Sequence, residues 1–205
     1  MTTEARVPGR PPGLTGEDLL AVARDVFLER GYGGASMEEV ARRARISKAS
    51  LYREHPSKSA LYEAVVHHWA SSGRNAMRPA LERLQAADDL RQGLADLAET
   101  MRSGILSEPV LAMRRLVTAE AVTQPEVARM YLEESWNANI RNLAEALRTV
   151  AARHGLQMDE ADGAAADFTW LVIGAPLNAR LLAGDVDASP VDRAVDLFLA
   201  GYRRR

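Results

Sequence analysis

The chain has 205 residues, of which 47% are hydrophobic and 26% are charged, and its formal net charge is −2 at pH 7. This length and composition suffice for a buried core, and no apolar run approaches the roughly eighteen residues of a membrane-spanning helix. The absence of cysteine excludes disulfides and thiolate metal sites. We therefore expect a cytoplasmic protein without a membrane partner.

Residues 1–13 are rich in proline and glycine, a composition that predicts an arm that is unfolded in the free protein. The arm carries Arg6 and Arg10. Insertion into the minor groove of a duplex and a flexible tail without a partner are equally compatible with this segment.

The first predicted helix runs from Thr15 to Arg30, because apolar residues recur there with the spacing of one helical face. Gly31 is its expected C-terminal stop.

Two very short helices follow, over residues 36–43 and 47–54. Ser36 is the predicted N-cap of the first and forms a capping box with Glu39, and Ser47 is the N-cap of the second. The connecting turn is Ala44-Arg45-Ile46. Helices this short are unstable in isolation, so the neighbouring helices must support them.

The second short helix is predicted to direct Leu51 inward and to expose Lys48, Ser50, Tyr52 and Arg53. Residues 36–60 contain six Lys or Arg against three Asp or Glu, which concentrates positive charge near this helix. A helix-turn-helix with an exposed cationic second helix is typical of proteins that read double-stranded DNA.

The segment from about residue 14 to 66 resembles the DNA-binding domain of the TetR family of transcriptional regulators. The residues that carry the resemblance are Ala23, Phe27, Gly31, Tyr32, Ser36, Met37, Val40, Ala41, Ala44, Ile46-Ser47-Lys48, Leu51-Tyr52-Arg53, Pro56-Ser57-Lys58 and Leu61.

The resemblance implies that the helix bearing Lys48 lies in the major groove of an operator. Lys48 and Ser50 would then reach base edges, while Arg53 takes a base or a phosphate. Tyr52 and Lys58 resemble residues that hold phosphates. Ser36 and Ser47 stand at helix starts, whose backbone donors favour an anion.

Three residues depart from the family pattern. Arg45 stands where the family usually has glycine, and a positive φ there costs an arginine roughly 1 kcal/mol. A phosphate contact of Arg45 would offset this cost. His55 replaces the usual aromatic residue, and Glu54 places a carboxylate near the groove, where it either turns away or accepts from cytosine.

The remainder is predicted to be helical, so the fold class is all-α with about nine helices in two domains, over residues 14–66 and 67–205. The expected helices are 57–86, 88–107, 109–122, 125–153, 160–183 and 190–203. This remainder is similar to a TetR-family ligand and dimerisation domain. Arg115-Leu116-Val117 with Glu120, then Pro125-Glu126, resembles the AefR-like subgroup.

The helix over residues 160–183 is apolar on two faces, which predicts that it packs on its own domain and on a second copy of the chain. Together with the last helix it would form an intermolecular four-helix bundle. The predicted interface residues are Phe168, Leu171, Ala175, Leu182, Val195, Phe198 and Tyr202. A central helix in a monomer is the alternative.

An apolar cavity for a small hydrophobic molecule is predicted among the helices from 57 to 153, with one polar contact from Asn139. The other candidate lining residues are Leu97, Met101, Met113, Val117, Trp136, Ile140 and Trp170. The alternative is that these apolar stripes are only core.

The interpretation is a homodimeric repressor that a ligand releases from a palindromic operator, with no enzyme activity, cofactor or metal. His67 and His68 are adjacent, so on a helix they point about 100° apart and cannot share a metal. The alternative is a helical scaffold or adaptor dimer that has lost DNA binding, which Arg45, Glu54 and His55 keep open.

Overall fold

The structure is a computed structural model that describes residues 14–156, 158–182 and 190–202. The predicted N-terminal arm, with Arg6 and Arg10, lies outside the described residues. All regular elements of the described part are helical, which confirms the all-α fold class. The helices are α1 Gly16–Gly34, α2 Met37–Arg43, α3 Lys48–Glu54, α4 Lys58–Ala86, α5 Leu90–Ile105, α6 Glu108–Ala119, α7 Pro125–Tyr131, a π-helix Leu132–Asn137, α8 Ala138–His154, α9 Ala161–Leu182 and α10 Val191–Tyr202.

The chain divides into two compact units, Met1–His68 and Trp69–Arg205, and the division falls inside α4. The sequence placed it after residue 66. When the continuous run from α7 to α8 is taken as one segment, the described residues form nine helical segments. None of the described helices combines the length and the apolar character that crossing a bilayer requires.

In the N-terminal unit, α1 loses helical geometry at Gly31, whose φ is 67° and ψ is 169°. A positive φ is readily available to glycine, so the predicted stop is confirmed. The core beneath α2 and α3 contains Val26, Val40 and Leu51, none of them more than 1% exposed. The tilted aromatic pair of Tyr32 and Tyr62, with ring centroids 5.1 Å apart, adds to it.

The core of the C-terminal unit is formed mainly by α5, α8, α9 and α10. Asp89 caps α5 by accepting a hydrogen bond of 3.1 Å from the backbone N–H of Gln92. Gly155 ends α8 with a φ of 66°. These local signals set the lengths of two helices that pack on α9.

The π-helix Leu132–Asn137 changes which residues of this run are buried. A π-helical turn holds one residue more than an α-helical turn, so residues before it are displaced by one position relative to those after it. The stripe that continues through Leu143 and Leu147 is therefore joined by Tyr131, which is 7% exposed. Leu132, the next residue, is 51% exposed.

Three of the predicted dimer residues are instead core residues of their own unit. Phe168, Val195 and Phe198 are at most 1% exposed, and the rings of Phe168 and Phe198 meet at 5.0 Å. A side chain covered within its own subunit cannot contact a second copy, so these three predictions were wrong. Phe168 belongs to the face of α9 that packs inward. The sequence did not show which face packs inward, because both faces of this helix are apolar.

Tyr202, also predicted for the interface, is half-buried. Its ring is tilted against that of Phe198, with centroids 4.8 Å apart, and its hydroxyl donates a hydrogen bond of 2.8 Å to Asp167. Burial, together with this bond to a carboxylate, raises the pKa of Tyr202 to about 12. Leu171, Ala175 and Leu182 are exposed, as the residues of a docking face must be.

Candidate DNA-binding surface and ligand cavity

The outer surface of α3 presents three of the predicted DNA-contacting side chains to solvent. Lys48, Tyr52 and Arg53 are exposed, whereas Leu51 between them is fully buried and anchors the helix. The Lys48 ammonium lies 5.7 Å from the centroid of the Tyr52 ring. The short helix therefore offers two cations and one aromatic hydroxyl on a surface that the core holds in place.

Lys48 is paired with Glu38 of α2 through a hydrogen-bonded ion pair in which both side chains are exposed. The bond raises the pKa of the Lys48 ammonium and lowers the pKa of the Glu38 carboxyl. Because the pair is exposed, water and salt weaken it. The Glu38 carboxylate would therefore compete with DNA for the Lys48 ammonium.

The three predicted serine residues lie at the starts of α2 and α3. The Ser36 hydroxyl accepts a hydrogen bond of 3.2 Å from the backbone N–H of Glu39, and Ser47 accepts one of 3.0 Å from Ser50. The Ser47 hydroxyl also donates a hydrogen bond of 2.9 Å to the Ser50 hydroxyl, and this bond orients the Ser50 side chain. The Glu39 carboxylate, expected to complete the capping box, instead accepts from Arg43 at 2.6 Å.

Lys58, predicted to hold a phosphate, has a different role. Its ammonium donates to the carbonyl oxygens of Tyr32 at 2.7 Å, Ala35 at 3.1 Å and Gly33 at 3.4 Å, and it lies 4.5 Å from the Tyr32 ring centroid. An ammonium has three N–H donors, so none remains for a phosphate. The carbonyls at the end of α1 have no intrahelical donors, which explains why the Lys58 ammonium lies there.

The departures from the family pattern are visible in the geometry of the turn. Arg45 has a φ of 59° and is the one non-glycine residue with positive φ among those described, so the strained backbone is confirmed. Its side chain is exposed, as is that of Glu54. His55 is half-buried after the end of α3, and desolvation lowers the pKa of its imidazole.

The C-terminal unit contains an apolar cavity of about 190 Å³. Five of the predicted residues line it, namely Leu97, Met101, Trp136, Asn139 and Ile140. Three others were wrong. Met113 and Val117 are buried without lining it, and Trp170 is 57% exposed, with its ring 5.3 Å from that of Trp136.

Fourteen further residues line the cavity and were not predicted, among them Trp69 and Met77 of α4, Arg114 of α6, Tyr131 of α7 and Ser135 of the π-helix. The only available signal was an arginine, Arg114, directly after Met113 on the otherwise apolar face of α6. Tyr131 was hidden because the π-helix displaces the stripe by one residue.

Two side chains leave polar atoms without partners at this cavity. The Arg114 guanidinium lies 5.1 Å from the Trp136 ring, and its buried Nε has no hydrogen-bond acceptor. Asn139 donates from Nδ2 to the Ser135 carbonyl at 2.7 Å, while its buried Oδ1 has no donor. Buried polar atoms are rarely left unpaired, so a bound molecule that pairs with both would be stabilised here.

The N-terminal unit has the helix-turn-helix architecture of the DNA-binding class, and the second unit is an all-helical domain with an internal cavity. Two family models match the chain, that of bacterial regulatory proteins of the tetR family over residues 19–65 and that of the AefR-like transcriptional repressor C-terminal domain over residues 92–204. The second match covers more than half of the chain. The protein therefore belongs to the TetR family.

Individual relatives agree with this assignment. The HTH-type transcriptional activator FasR of Mycolicibacterium smegmatis is 34% identical over 110 residues, which are 54% of this chain and 48% of the relative. The regulator UidR of Escherichia coli is 27% identical over 115 residues, which are 55% of this chain and 54% of the relative. The chain thus spans about half the length of the curated relatives it matches.

Solved structures are similar over nearly the whole chain. A putative TetR-family regulator from Mesorhizobium loti has a TM-score of 0.86 and 26% identity, with 91% of this chain and 96% of that chain covered. The flavonoid-responsive regulator FrrA has a TM-score of 0.74, 27% identity and the same coverage of 91% and 96%.

Proposed function

We propose that this protein is a transcriptional repressor that binds a palindromic operator as a homodimer and is released by a small, mainly apolar molecule. The observation that carries the proposal is the exposed cationic face of α3, with Lys48, Tyr52 and Arg53 outside and Leu51 fully buried beneath them. The AefR-like transcriptional repressor match over the C-terminal unit supports repression, although the relative FasR is an activator.

On DNA, the outward side chains of α3, with Ser50 half-buried among them, would divide base recognition from phosphate binding. Lys48 and Ser50 read base edges in the major groove, and Arg53 takes a base or a phosphate. The Tyr52 hydroxyl and the strained, exposed Arg45 bind phosphates. Ser36 and Ser47 cap α2 and α3, and the N-termini of these two helices lie against the DNA phosphates.

The second copy would dock on the exposed face of α9. Leu171, Ala175 and Leu182 lie along this face, and Leu197 of α10 is also exposed, at 52%. Large apolar side chains in contiguous exposed positions are characteristic of interaction surfaces. Two-fold pairing through this face presents two α3 helices, and the operator is then palindromic.

Release by the ligand would follow from a difference in affinity between two conformations. A molecule that fits the cavity better when the α3 helices are wrongly spaced draws the dimer off the operator, with a tenfold shift for each ~1.4 kcal/mol of preference. The helix α4 contributes Trp69 and Met77 to the cavity and also begins in the N-terminal unit. This continuity makes α4 the natural link.

A gel-shift series against genomic fragments tests DNA binding. We expect specific retention that weakens as salt is raised, because cations on α3 displace counterions from phosphates. The Lys48→Ala variant should lose most of the retention, while Arg129→Ala, which removes an exposed cation of the C-terminal unit, should not. Absence of retention at every salt concentration would favour a helical scaffold or adaptor dimer instead.

Light scattering tests the dimer. We expect a homodimer, and Leu171→Glu should convert it to a monomer because two carboxylates would meet at a two-fold interface. Val122→Glu is the matched control, since Val122 is an apolar side chain that is 91% exposed and lies away from α9 in sequence. A Leu171→Glu variant that remains dimeric would contradict the proposed face.

A further inference from the structure

We infer that the cavity of the C-terminal unit selects a small aromatic carboxylate that also carries a hydroxyl group, with the acid at Arg114 and the hydroxyl at Asn139. This inference rests on the proposed function and specifies the chemistry of its ligand.

The acid follows from the surroundings of Arg114. Its guanidinium lies over the Trp136 ring, its Nε is buried without an acceptor, and within the described part of the chain it forms no ion pair. A partly desolvated cation without a carboxylate is costly, and a ligand anion compensates it through a charge-assisted hydrogen bond. The neighbouring Arg115, by contrast, pairs with Glu108 at 3.0 Å.

The hydroxyl follows from the orientation of Asn139. The carbonyl of Ser135 can only accept, so the side-chain atom 2.7 Å from it is the donor Nδ2, and the unpaired atom is the acceptor Oδ1. A ligand atom that pairs with Oδ1 must therefore be a donor. The π-helix positions Ser135 and Trp136 for this arrangement, and short π-helical segments are frequent at functional sites.

The size and the apolar character of the cavity narrow the ligand further. An apolar cavity of about 150 Å³ binds benzene, so a cavity of about 190 Å³ suits a molecule with one substituted ring. Trp69, Tyr131 and Trp136 supply flat walls for such a ring. A single arginine compensates one negative charge, which favours a carboxylate over a phosphate dianion.

Titration calorimetry on the free protein, without DNA, tests the inference with three matched pairs. The probes are 3-hydroxybenzoate, 4-hydroxybenzoate and 4-hydroxycinnamate, each compared with its neutral amide. We expect at least one acid to bind about 10- to 100-fold more tightly than its amide, the worth of one charge-assisted hydrogen bond. The corresponding acid without the hydroxyl should bind several-fold more weakly.

Variants identify the groups responsible. Arg114→Met retains packing against Trp136 and should abolish the preference for acid over amide, Arg114→Lys should retain part of it, and Arg129→Met should leave it unchanged. Asn139→Ala should remove only the preference for the hydroxyl. Melting temperatures of the free variants verify folding, and ligand-induced increases in them provide a second readout of binding.

The inference is overturned if no acid binds at millimolar concentration, if the amides bind as tightly as the acids, or if Arg114→Met keeps the preference. Gel shifts on the same preparations separate this result from the proposed function. Selective acid binding without operator binding would contradict the proposed repressor but support the proposed ligand class. Operator binding without acid selectivity would support the repressor and contradict the ligand class.

Discussion

The surface of α3 and the wall of the cavity both carry basic side chains, but their partners differ. Lys48 on α3 is exposed and already paired with Glu38, whereas Arg114 at the cavity has a buried Nε with no acceptor. At the first site, DNA would compete in water with Glu38 for the Lys48 ammonium. A ligand at the second site would instead supply the acceptor that Arg114 lacks.

This difference indicates how each site achieves selectivity. Competition in water gives a modest, salt-sensitive gain for each contact, so the proposed DNA binding would depend on many contacts and on two copies of α3. Supplying a missing partner in an apolar cavity rewards one chemical group strongly, because an unpaired buried polar atom is costly. The first arrangement suits a long polymer, and the second suits one small molecule.

The largest effect is expected from removing both cations of α3. Lys48→Ala combined with Arg53→Ala should weaken operator binding about 100-fold or more, because each base or phosphate contact contributes about 1–3 kcal/mol. Gel shifts measure the affinity, and calorimetry should show unchanged binding of small molecules. If operator affinity stays within a few-fold of the parent, α3 is not the reading helix.

The next effect concerns the cavity wall. Trp136→Ala should keep operator binding but weaken the binding of a cavity ligand about 10-fold, since an aromatic wall and its ring contact are lost. Operator release by the ligand reports the change. Trp170→Ala is the matched control, because the exposed Trp170 contacts Trp136 without lining the cavity. Equal effects of the two substitutions would argue against the cavity as the ligand site.

A smaller effect tests the exchange at Lys48. Glu38→Gln should tighten DNA binding about 2- to 5-fold at low salt, because it removes both the competing partner of Lys48 and a negative charge. Glu54→Gln removes a negative charge from α3 without freeing Lys48. If competition between Glu38 and DNA for Lys48 limits binding, only Glu38→Gln shows the full increase in DNA affinity. If general repulsion matters, the two variants behave alike.

The smallest effect tests the strain in the turn. Arg45→Gly should be about 1 kcal/mol more stable in urea unfolding than Arg45→Ala, because glycine adopts a φ of 59° without steric cost. Both variants lose the cation, so both should weaken DNA binding to a similar, few-fold extent. Equal unfolding free energies would mean that the turn relaxes around alanine.

The N-terminal unit was predictable because local signals determine it. The caps at Ser36 and Ser47, the stop at Gly31 and the strained Arg45 each depend on a few neighbouring residues, and all of them are present. The role of Lys58 was not predictable in this way, because its three carbonyl partners lie 23 to 26 residues earlier in the chain.

The C-terminal unit was predictable in its helices but not in their faces. The residue pattern located α5 to α10, yet α9 is apolar on two faces, so the inward position of Phe168 depended on how the other helices pack. The π-helix changed which residues of one run are buried, exposing Leu132 in place of Tyr131. Arg114 could not be assigned to the cavity before α6 was positioned.

The placement of Lys58 has a mechanical consequence within the N-terminal unit. Lys58 is the first residue of α4, and its ammonium holds carbonyls of Tyr32, Gly33 and Ala35 at the end of α1. A displacement of the start of α4 must either drag the link between α1 and α2 with it or break these three bonds. Lys58 is thus a tether through which the start of α4 and the link between α1 and α2 move together.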